Sequence, residues 1–225
     1  MGEEITVAKR RAGRSAAEAV EDGMVVGLGT GSTAAHAICR LGERVDAGLD
    51  IEGIPTSFQS RELAREAGIP LTSLDAASPD VAIDGADQVA DGQLIKGGGA
   101  AHAREKVLDT AADRFLVVID PRKEADALNE AVPVEVLPSA RRPVADAITD
   151  LGGDPDLRAA ERKDGPVVTD NGNLVLDCAF GEIDDPAALA ASLAAVPGAV
   201  AHGLFVDSPD EIHLGTADGV EVRSV

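Results

Sequence analysis

A glycine-rich segment, Gly27-Leu28-Gly29-Thr30-Gly31-Ser32-Thr33, lies between a short apolar stretch and a helix-like stretch. Glycines let backbone amides approach an anion closely, and the start of a helix adds partial positive charge, so the segment predicts a phosphate or carboxylate site. A dinucleotide site is disfavoured because Ser32 stands where that fingerprint requires glycine, and the mononucleotide loop is disfavoured because its Gly-Lys ending is missing. A purely structural turn remains the alternative.

Two carboxylates, in Asp84-Gly85-Ala86-Asp87, directly follow the apolar stretch Val81-Ala82-Ile83. Open α/β sheets bind their ligands beyond the carboxyl ends of the strands, which is where we expect this pair. The pair has the chemistry to hold sugar hydroxyls, to ligate Mg²⁺ or to cap a turn. A metal is the less favoured of these three.

Three consecutive glycines follow a lysine in Lys96-Gly97-Gly98-Gly99. A glycine run costs conformational entropy, so it indicates close approach of a ligand or of another backbone. Lys96 then supplies a fixed cation and the glycines supply backbone donors. Glu105 follows in a helix-like stretch, where a solvent-facing position is the ordinary alternative for a glutamate between Arg104 and Lys106.

These segments fall at the junctions of alternating strands and helices. That alternation predicts an α/β fold with a doubly wound, mostly parallel, Rossmann-like sheet. The predicted strands are 24–28, 50–54, 79–83, 93–95 and 115–119, and the predicted helices are 5–21, 34–41, 57–67 and 99–110. Thr56 or Ser57 is expected to cap the third of these helices.

After Asn129 the pattern changes to a β-α-β-β-α order, which indicates a smaller α+β lobe of ferredoxin-like type. We place this lobe at 131–202 and the α/β catalytic domain at 1–130 with 203–225. Short strands at 204–206, 212–214 and 220–222 are expected to return to the main sheet. Within the lobe, strands are predicted at 132–136, near Val167 and at 174–176, and helices at 140–151 and 186–195.

The charge balance excludes nucleic acid as a partner. Forty acidic residues against twenty basic ones give a net charge of −20, whereas binding to a phosphate backbone needs clustered Lys and Arg. Only five of the basic residues are lysines. Excess carboxylate with little lysine fits a cytoplasm of very high salt, where the Debye length shrinks to roughly 3 Å at 1 M and repulsion is screened. An ordinary acidic protein is the alternative.

The apolar pattern predicts a cytoplasmic protein. Hydrophobic residues make up 44% of the chain, but no apolar run approaches the ~20 residues that a membrane-spanning helix needs. The first residues lack the layout of a secretory signal. Cys39 and Cys178 are too few for a disulfide framework or a metal cage, so we expect two buried free thiols.

Taken in this order, the polar segments resemble the signature set of the type A ribose-5-phosphate isomerase family. That family shows a Gly-Thr-Gly-Ser-Thr loop, a Thr-Ser-x-x-Ser stretch, an Asp-Gly-Ala-Asp turn and a Lys-Gly-Gly-Gly-Ala-Ala segment followed by Arg-Glu-Lys. The corresponding segments here are 29–33, 56–60, 84–87 and 96–106. Weaker similarities at 133–136, 169–173 and 197–205 extend the resemblance over nearly the whole chain.

The resemblance implies an enzyme of the pentose phosphate pathway that interconverts D-ribose 5-phosphate and D-ribulose 5-phosphate through an enediolate, without cofactor or metal. It implies that Glu105 is the base and that Lys96 stabilises the oxyanion. Asp84 and Asp87 would hold hydroxyls and assist ring opening. Contacts to the substrate or its phosphate are implied for a larger set: Lys9, Thr30, Gly31, Ser32, Thr33, Asp84, Gly85, Ala86, Asp87, Lys96, Gly97, Gly98, Gly99 and Lys123.

The family also implies a homodimer or homotetramer. Its small-molecule partner would be a pentose phosphate, with no membrane and no nucleic acid. A non-catalytic sugar-phosphate sensor is the alternative, disfavoured because no helix-turn-helix precedes residue 24 and a sensor has no need of Lys96 with Glu105. A nicotinamide-dependent oxidoreductase is disfavoured by the glycine spacing. The chain departs from the family at Arg122, where serine is common, and at His102, which is expected to have a surface or packing role. His36, His202 and His213 are expected to be structural.

Overall fold

The computed structural model describes residues 2–162 and 164–225 and divides the chain into two compact units. The first unit consists of Met1–Ala86, Arg104–Glu124 and Ser208–Val225, and the second of Asp87–Ala103 and Ala125–Asp207. The lobe predicted at 131–202 falls within the second unit, which also takes in residues 87–103, 125–130 and 203–207.

The elements alternate along the chain as an α/β pattern before Asn129 and change afterwards. The helices are α1 Gly2–Glu18, α2 Ala34–Asp46, α3 Phe58–Glu66, α4 His102–Ala111, α5 Arg141–Asp150 and α6 Pro186–Ala194. The strands are β1 Val25–Leu28, β2 Glu52–Pro55, β3 Val81–Gly85, β4 Gln88–Ala90, β5 Gln93–Ile95, β6 Arg114–Ile119, β7 Val132–Val136, β8 Asp154–Leu157, β9 Leu174–Ala179, β10 Ala199–His202, β11 Leu204–Phe205, β12 Glu211–Gly215 and β13 Val220–Ser224.

The first unit is built on a six-stranded sheet with the order β13-β12-β6-β3-β1-β2. Neighbouring strands from β12 to β2 are parallel, and only β13 is antiparallel to its neighbour. The predicted mostly parallel α/β sheet is therefore confirmed. Parallel strands end at the same edge, so the segments that follow β1, β3 and β6 emerge side by side.

Helices cover both faces of this sheet. Val26 and Leu28 of β1 are buried in one hydrophobic core with residues of α1 and α2, such as Ala16 and Ile38. Gly27 lies between them and faces the other side, because successive residues of a strand alternate. There a Cβ atom added to Gly27 would lie 3.1 Å from Leu108 of α4. Core residues on both faces explain why these strands are continuously apolar.

The second unit contains two antiparallel sheets. One has four strands in the order β10-β7-β9-β8, and the other has three strands in the order β11-β5-β4. Val134 and Val136 of β7 pack with Val144 and Ile148 of α5 in a second hydrophobic core. Leu128, which precedes the predicted lobe, belongs to the same core.

Three of the predicted strands were wrong in place or partner: those near Val167, at 204–206 and at 93–95. The last forms β5, which belongs to the three-stranded antiparallel sheet instead of the main sheet. Among the described residues around Val167, isolated bridges form in place of the predicted strand, and Val168 is 49% exposed. The strand of that region is β8, which the sequence did not reveal because its residues are polar or half exposed and include Pro155. The stretch at 204–206 forms β11, which pairs with β5 rather than joining the main sheet, whereas β12 and β13 do join it.

The helix boundaries agree with the expected ones to within a few residues, and Ser57, not Thr56, caps α3. Among the described residues, no helix has the length and apolar character needed to cross a membrane.

Candidate functional site

The predicted site residues divide between the two units. Those of the first unit are Lys9, Thr30, Gly31, Ser32, Thr33, Asp84, Gly85, Ala86, Glu105 and Lys123. Those of the second unit are Asp87, Lys96, Gly97, Gly98 and Gly99.

The glycine-rich turn of the first unit connects β1 to α2, as predicted. The backbone N–H of Thr30 donates to Oδ1 of Asp84 at 3.0 Å. A Cβ atom at Gly29 would lie 2.2 Å from that same oxygen, so residue 29 must be glycine for the turn to lie this close to Asp84. Ser32 is exposed and Gly31 is half-buried.

A network of hydrogen-bonded hydroxyl groups holds the turn in place. Thr30 Oγ1 lies 2.8 Å from Thr56 Oγ1 and donates to Ser57 Oγ at 2.6 Å. Ser57 in turn accepts from the backbone N–H of Ser60 at 3.1 Å, which caps α3. Thr56, Ser57 and Ser60 are all buried. The Thr-Ser-x-x-Ser motif therefore holds Thr30 in place instead of facing solvent.

Lys9 of α1 places a positive charge beside the turn. Its Nζ donates to Ser32 Oγ at 2.8 Å. The charge of Lys9 also acts on His36. Burial lowers the pKa of His36 below its ordinary value, and the charges of Arg10 and Lys9 lower it further. A cation next to hydroxyls and a helix start is an arrangement suited to an anion such as phosphate.

Asp84, near the end of β3, is fully buried at 0% exposure. Its Oδ1 accepts from the N–H groups of Thr30, at 3.0 Å, and of Gly85, at 2.7 Å. These two bonds fix the orientation of the carboxylate at the edge of the sheet where the glycine turn also lies. The structure thus brings together two motifs that are more than fifty residues apart in sequence.

Asp120 follows β6 and was not among the predicted site residues. Burial alone would raise the pKa of its carboxyl, but hydrogen bonds from the side chain and backbone of Arg122, with the charges of Arg122 and Lys9, bring the pKa below its ordinary value. The guanidinium of Arg122 pairs with both oxygens, at 2.8 and 3.0 Å. The residue that replaces the family serine is therefore anchored to Asp120. Lys123, in the short 3-10 turn that follows, is half-buried.

Glu105 lies in the first turn of α4, and only 4% of it is exposed. The solvent-facing alternative is therefore wrong. Its neighbour Arg104 lies over the ring of Phe58 at 5.6 Å from the centroid. Phe58 itself is 53% exposed, and Arg61 also lies over its ring.

In the second unit, Lys96 is buried at 2% exposure and begins the triple-glycine turn after β5. Its Nζ lies 5.3 Å from the centroid of the Phe205 ring, and its backbone N–H donates to Gly203 at 2.8 Å. Burying an ammonium group is costly, so a buried lysine is a candidate for function.

The triple-glycine turn makes specific contacts within the second unit. The N–H of Gly98 donates to Asp87 Oδ2 at 2.7 Å. Gly97 has φ of +110° and lies against the buried His102, whose Nδ1 would be 2.8 Å from an added Cβ. His102 therefore packs under the turn, one of the two roles expected for it. Arg158, which no sequence motif pointed to, donates to the carbonyls of Gly97 and Gly98.

The two cysteines differ in environment. Cys178 is buried, as expected, but Cys39 is exposed, so the expectation of two buried thiols was wrong. Cys39 lies on the outer face of α2, where the neighbouring Ile38 takes the core position. In residues 2–162 and 164–225, no group of three or more His, Cys, Asp or Glu is placed to hold a metal ion.

Comparison with known proteins shows the family to which this chain is similar. Residues 52–219 match the profile of ribose 5-phosphate isomerase A (phosphoriboisomerase A). Ribose-5-phosphate isomerase A of Haloarcula marismortui is 71% identical over 97% of this chain and 96% of its own length. The protein of the same name from Natronomonas pharaonis is 72% identical over 96% of each.

Two solved structures share the fold over almost the full length. Ribose 5-phosphate isomerase A from Methanocaldococcus jannaschii superposes with a TM-score of 0.93 at 43% identity, covering 97% of this chain and 98% of the other. A D-ribose-5-phosphate isomerase in complex with phospho-erythronic acid superposes with a TM-score of 0.94 at 42% identity, with the same coverage.

Proposed function

Because this chain belongs to the ribose 5-phosphate isomerase A family, we propose that Glu105 is the base of its aldose-ketose isomerisation. The enzyme interconverts D-ribose 5-phosphate and D-ribulose 5-phosphate, a step of the pentose phosphate pathway. The family assignment decides against the alternatives of a non-catalytic sensor and a nicotinamide-dependent oxidoreductase.

The reaction moves one proton between adjacent carbons. The base takes the proton from the second carbon of the aldose and an enediolate forms. The hydroxyl proton on the second oxygen passes to the first oxygen, and the base returns its proton to the first carbon. A carboxylate that is 4% exposed supports this role for Glu105, because a proton held away from water is not lost to solvent between the two transfers. A positioned base contributes typically about 10²–10⁴-fold in rate.

The enediolate carries negative charge on oxygen, which needs a fixed positive partner. Lys96 is the proposed partner, because its ammonium group is buried and its backbone is tied to Gly203. Preorganised charge in a water-poor environment stabilises an oxyanion more than the same charge in water. The amides of Gly97, Gly98 and Gly99 are proposed to line the same turn as additional donors.

Two aspartates are proposed to hold sugar hydroxyls and to assist ring opening. Each carboxylate is oriented by backbone N–H groups: Asp84 by Thr30 and Gly85, and Asp87 by Gly98. These bonds hold each carboxylate in a fixed orientation. Gly85 and Ala86 are proposed to contact the substrate through their backbone.

The phosphate is proposed to bind at the glycine turn. The turn directly before α2 consists of Thr30, Gly31, Ser32 and Thr33. Lys9 already donates to Ser32. The helix start and the ammonium charge both favour a dianion. Lys123 is proposed to add a second lysine contact to the substrate. In this mechanism the residues act without metal or cofactor.

The burial of Glu105 in the first turn of α4 is the observation that carries the assignment of the base. Its test is the conversion of ribose 5-phosphate to ketose by the pure protein, in molar KCl with a chelator present. Glu105→Gln should lower kcat by about 100-fold or more while inorganic phosphate still binds. Glu66→Gln, an exposed glutamate of α3 in the same unit, is the matched control and should keep full activity. Undiminished turnover in Glu105→Gln would overturn the assignment.

A cytoplasmic location and a homodimer or homotetramer remain predictions. Size-exclusion chromatography with light scattering in molar KCl measures the number of subunits directly.

A further inference from the structure

We propose that Arg158 is a positioning residue for catalysis, which orients the peptide groups of the triple-glycine turn so that the N–H of Gly98 holds Asp87 and the N–H of Gly99 faces the substrate. The proposal deepens the role suggested above for Lys96 and the turn, and it rests on that proposed function. All the contacts that carry it lie within the second unit.

Arg158 is held at both ends of its guanidinium. Its Nε donates to Asp177 Oδ2 at 2.8 Å and its second terminal nitrogen pairs with Asp177 Oδ1. The other terminal nitrogen donates to the carbonyl oxygens of Gly97, at 2.9 Å, and Gly98, at 3.2 Å. The side chain is only 15% exposed. A bidentate pair with low exposure is a rigid arrangement, unlike a surface ion pair.

The two carbonyl contacts determine where the turn's donors point. A peptide group is planar and trans, so its N–H points opposite to its C=O. The carbonyls of Gly97 and Gly98 face Arg158, and therefore the N–H groups of Gly98 and Gly99 point away from it. The first of these already donates to Asp87 Oδ2 at 2.7 Å, on the side opposite the guanidinium.

The turn needs such an external support because it has no side chains of its own. Three glycines in succession have the greatest backbone freedom of any sequence, and freezing them costs conformational entropy. Inside the turn, one bond from the N–H of Ala100 to the carbonyl of Gly97, at 2.9 Å, closes the backbone. Arg158 adds a support from outside and fixes both peptide planes.

The positive charge of Arg158 also strengthens the N–H donors of the turn. A cation on the carbonyl side of a peptide polarises it and makes its N–H a stronger donor. Asp177 neutralises the guanidinium on its far side, so that the buried charge is paired. A lysine has one compact ammonium group and cannot contact Asp177 with two nitrogens while it also reaches two carbonyls. Arg158→Lys is therefore not a conservative change here.

The test compares Arg158→Met, Arg158→Lys and Asp177→Asn with Arg142→Met, which removes a largely exposed arginine of the same unit and should behave as the parent. For each variant, kcat, KM and the melting temperature are measured, with affinities for phospho-erythronic acid and for inorganic phosphate. Arg158→Met should lose about 10- to 100-fold in kcat with KM within about threefold, because misplaced donors act on the transition state more than on the ground state.

The two ligands separate a positioning role from a structural one. Phospho-erythronic acid has a carboxylate in addition to its phosphate, so it should bind about tenfold less tightly to Arg158→Met. Inorganic phosphate should bind with unchanged affinity. Methylguanidinium added at millimolar concentration to Arg158→Ala should raise kcat, while it leaves the kcat of Arg142→Met as it was.

The outcomes distinguish this proposal from the proposed function. Full kcat in folded Arg158→Met and Arg158→Lys, or equal weakening of both ligands, would overturn the role of Arg158 alone. Retained activity in Glu105→Gln and Lys96→Met would overturn the proposed residue roles. Should Arg158→Met fail to fold, Arg158→Lys and Asp177→Asn decide, since each leaves a side chain of similar size, and normal kcat in both would refute the proposal.

Discussion

The backbone amide of Thr30 donates a 3.0 Å hydrogen bond to Oδ1 of Asp84, and this bond joins the turn after β1 to the end of β3. The two residues belong to different sequence motifs, yet neither has its observed orientation without the other. The bond requires that the backbone at Gly29 pass close to the carboxylate.

Replacing Gly29 with alanine should disrupt the turn. The new Cβ would lie 2.2 Å from Asp84 Oδ1 and 2.6 Å from its Cα, so the backbone must shift. We expect a loss of about 1–3 kcal/mol in the free energy of unfolding from overpacking, and a fall of about 100-fold in kcat/KM. Chemical denaturation and the isomerase assay measure these. Gly219→Ala has open space around its Cβ and should change neither; equal behaviour of the two variants would refute the prediction.

Glu135 should be a major stabilising residue of the second unit. It is fully buried, and its Oε1 accepts hydrogen bonds from Thr169, Asn171 and Asn173 at 2.8–3.0 Å. Glu135→Ala should lower the free energy of unfolding by about 3 kcal/mol or more, because three donors lose a charged acceptor. Glu135→Gln keeps one acceptor oxygen and should cost less. The exposed Glu182→Ala is the control, and a loss no larger than in that control would contradict the role.

His213 should make stability depend on pH. It lies between Ser15 of α1, 2.9 Å from Nδ1, and Glu211 of its own strand, 3.4 Å from Nε2. Burial lowers the pKa of His213, and the charge of Arg114 on β6 lowers it further. Glu211 raises the pKa, but not enough to cancel the effect of burial. The folded pKa is thus below the ordinary 6.5, so this contribution is complete above about pH 6.5 and is lost as the pH falls through the folded value.

Melting curves between about pH 8 and about pH 5 test this dependence, since the ordinary histidine pKa lies inside that window. The parent protein should lose melting temperature more steeply below about pH 6.5 than His213→Gln, which has no titrating ring. Parallel curves for the two proteins would exclude His213 as a source of the pH dependence. Because His36 also has a lowered pKa, His36→Gln is made alongside to separate the two contributions.

The two thiols should differ sharply in reactivity. Burial, with a smaller effect of the nearby Asp177 carboxylate, raises the pKa of Cys178 to about 12. The thiolate is the reactive form, so Cys178 should be inert in the native protein, whereas the exposed Cys39 should react. A thiol reagent should therefore modify one site quickly, and the second only after unfolding. Cys39→Ser should show no fast reaction; if it does, the assignment is wrong.

Salt should stabilise the protein. A net charge of −20 repels itself in dilute buffer, and screening at high ionic strength removes that repulsion. The melting temperature should rise between low and multimolar KCl. A melting temperature that does not change over this range would remove the interpretation of the composition as an adaptation to high salt.

The sequence predicted the architecture of the first unit well because its signals are local. Apolar strands bounded by glycine, as at Gly29, and a capping serine such as Ser57 act through their immediate neighbours. It failed where an element depends on a distant partner. The polar strand β8 exists because it pairs with β9, and β11 joins β5 although nothing in its own residues selects that strand.

The same division applies to the site. Residue types and order alone determined the glycine turn, the aspartate turn, the lysine with its glycines and the family they resemble. This was possible because the backbone conformation of each motif depends mainly on its own residues. Only the tertiary structure decided that Glu105 is buried, that Asp84 accepts from Thr30, and that Arg158 supports Gly97 and Gly98. Burial and long-range hydrogen bonds depend on which surfaces the folded chain brings into contact, and residue order does not specify those contacts by itself.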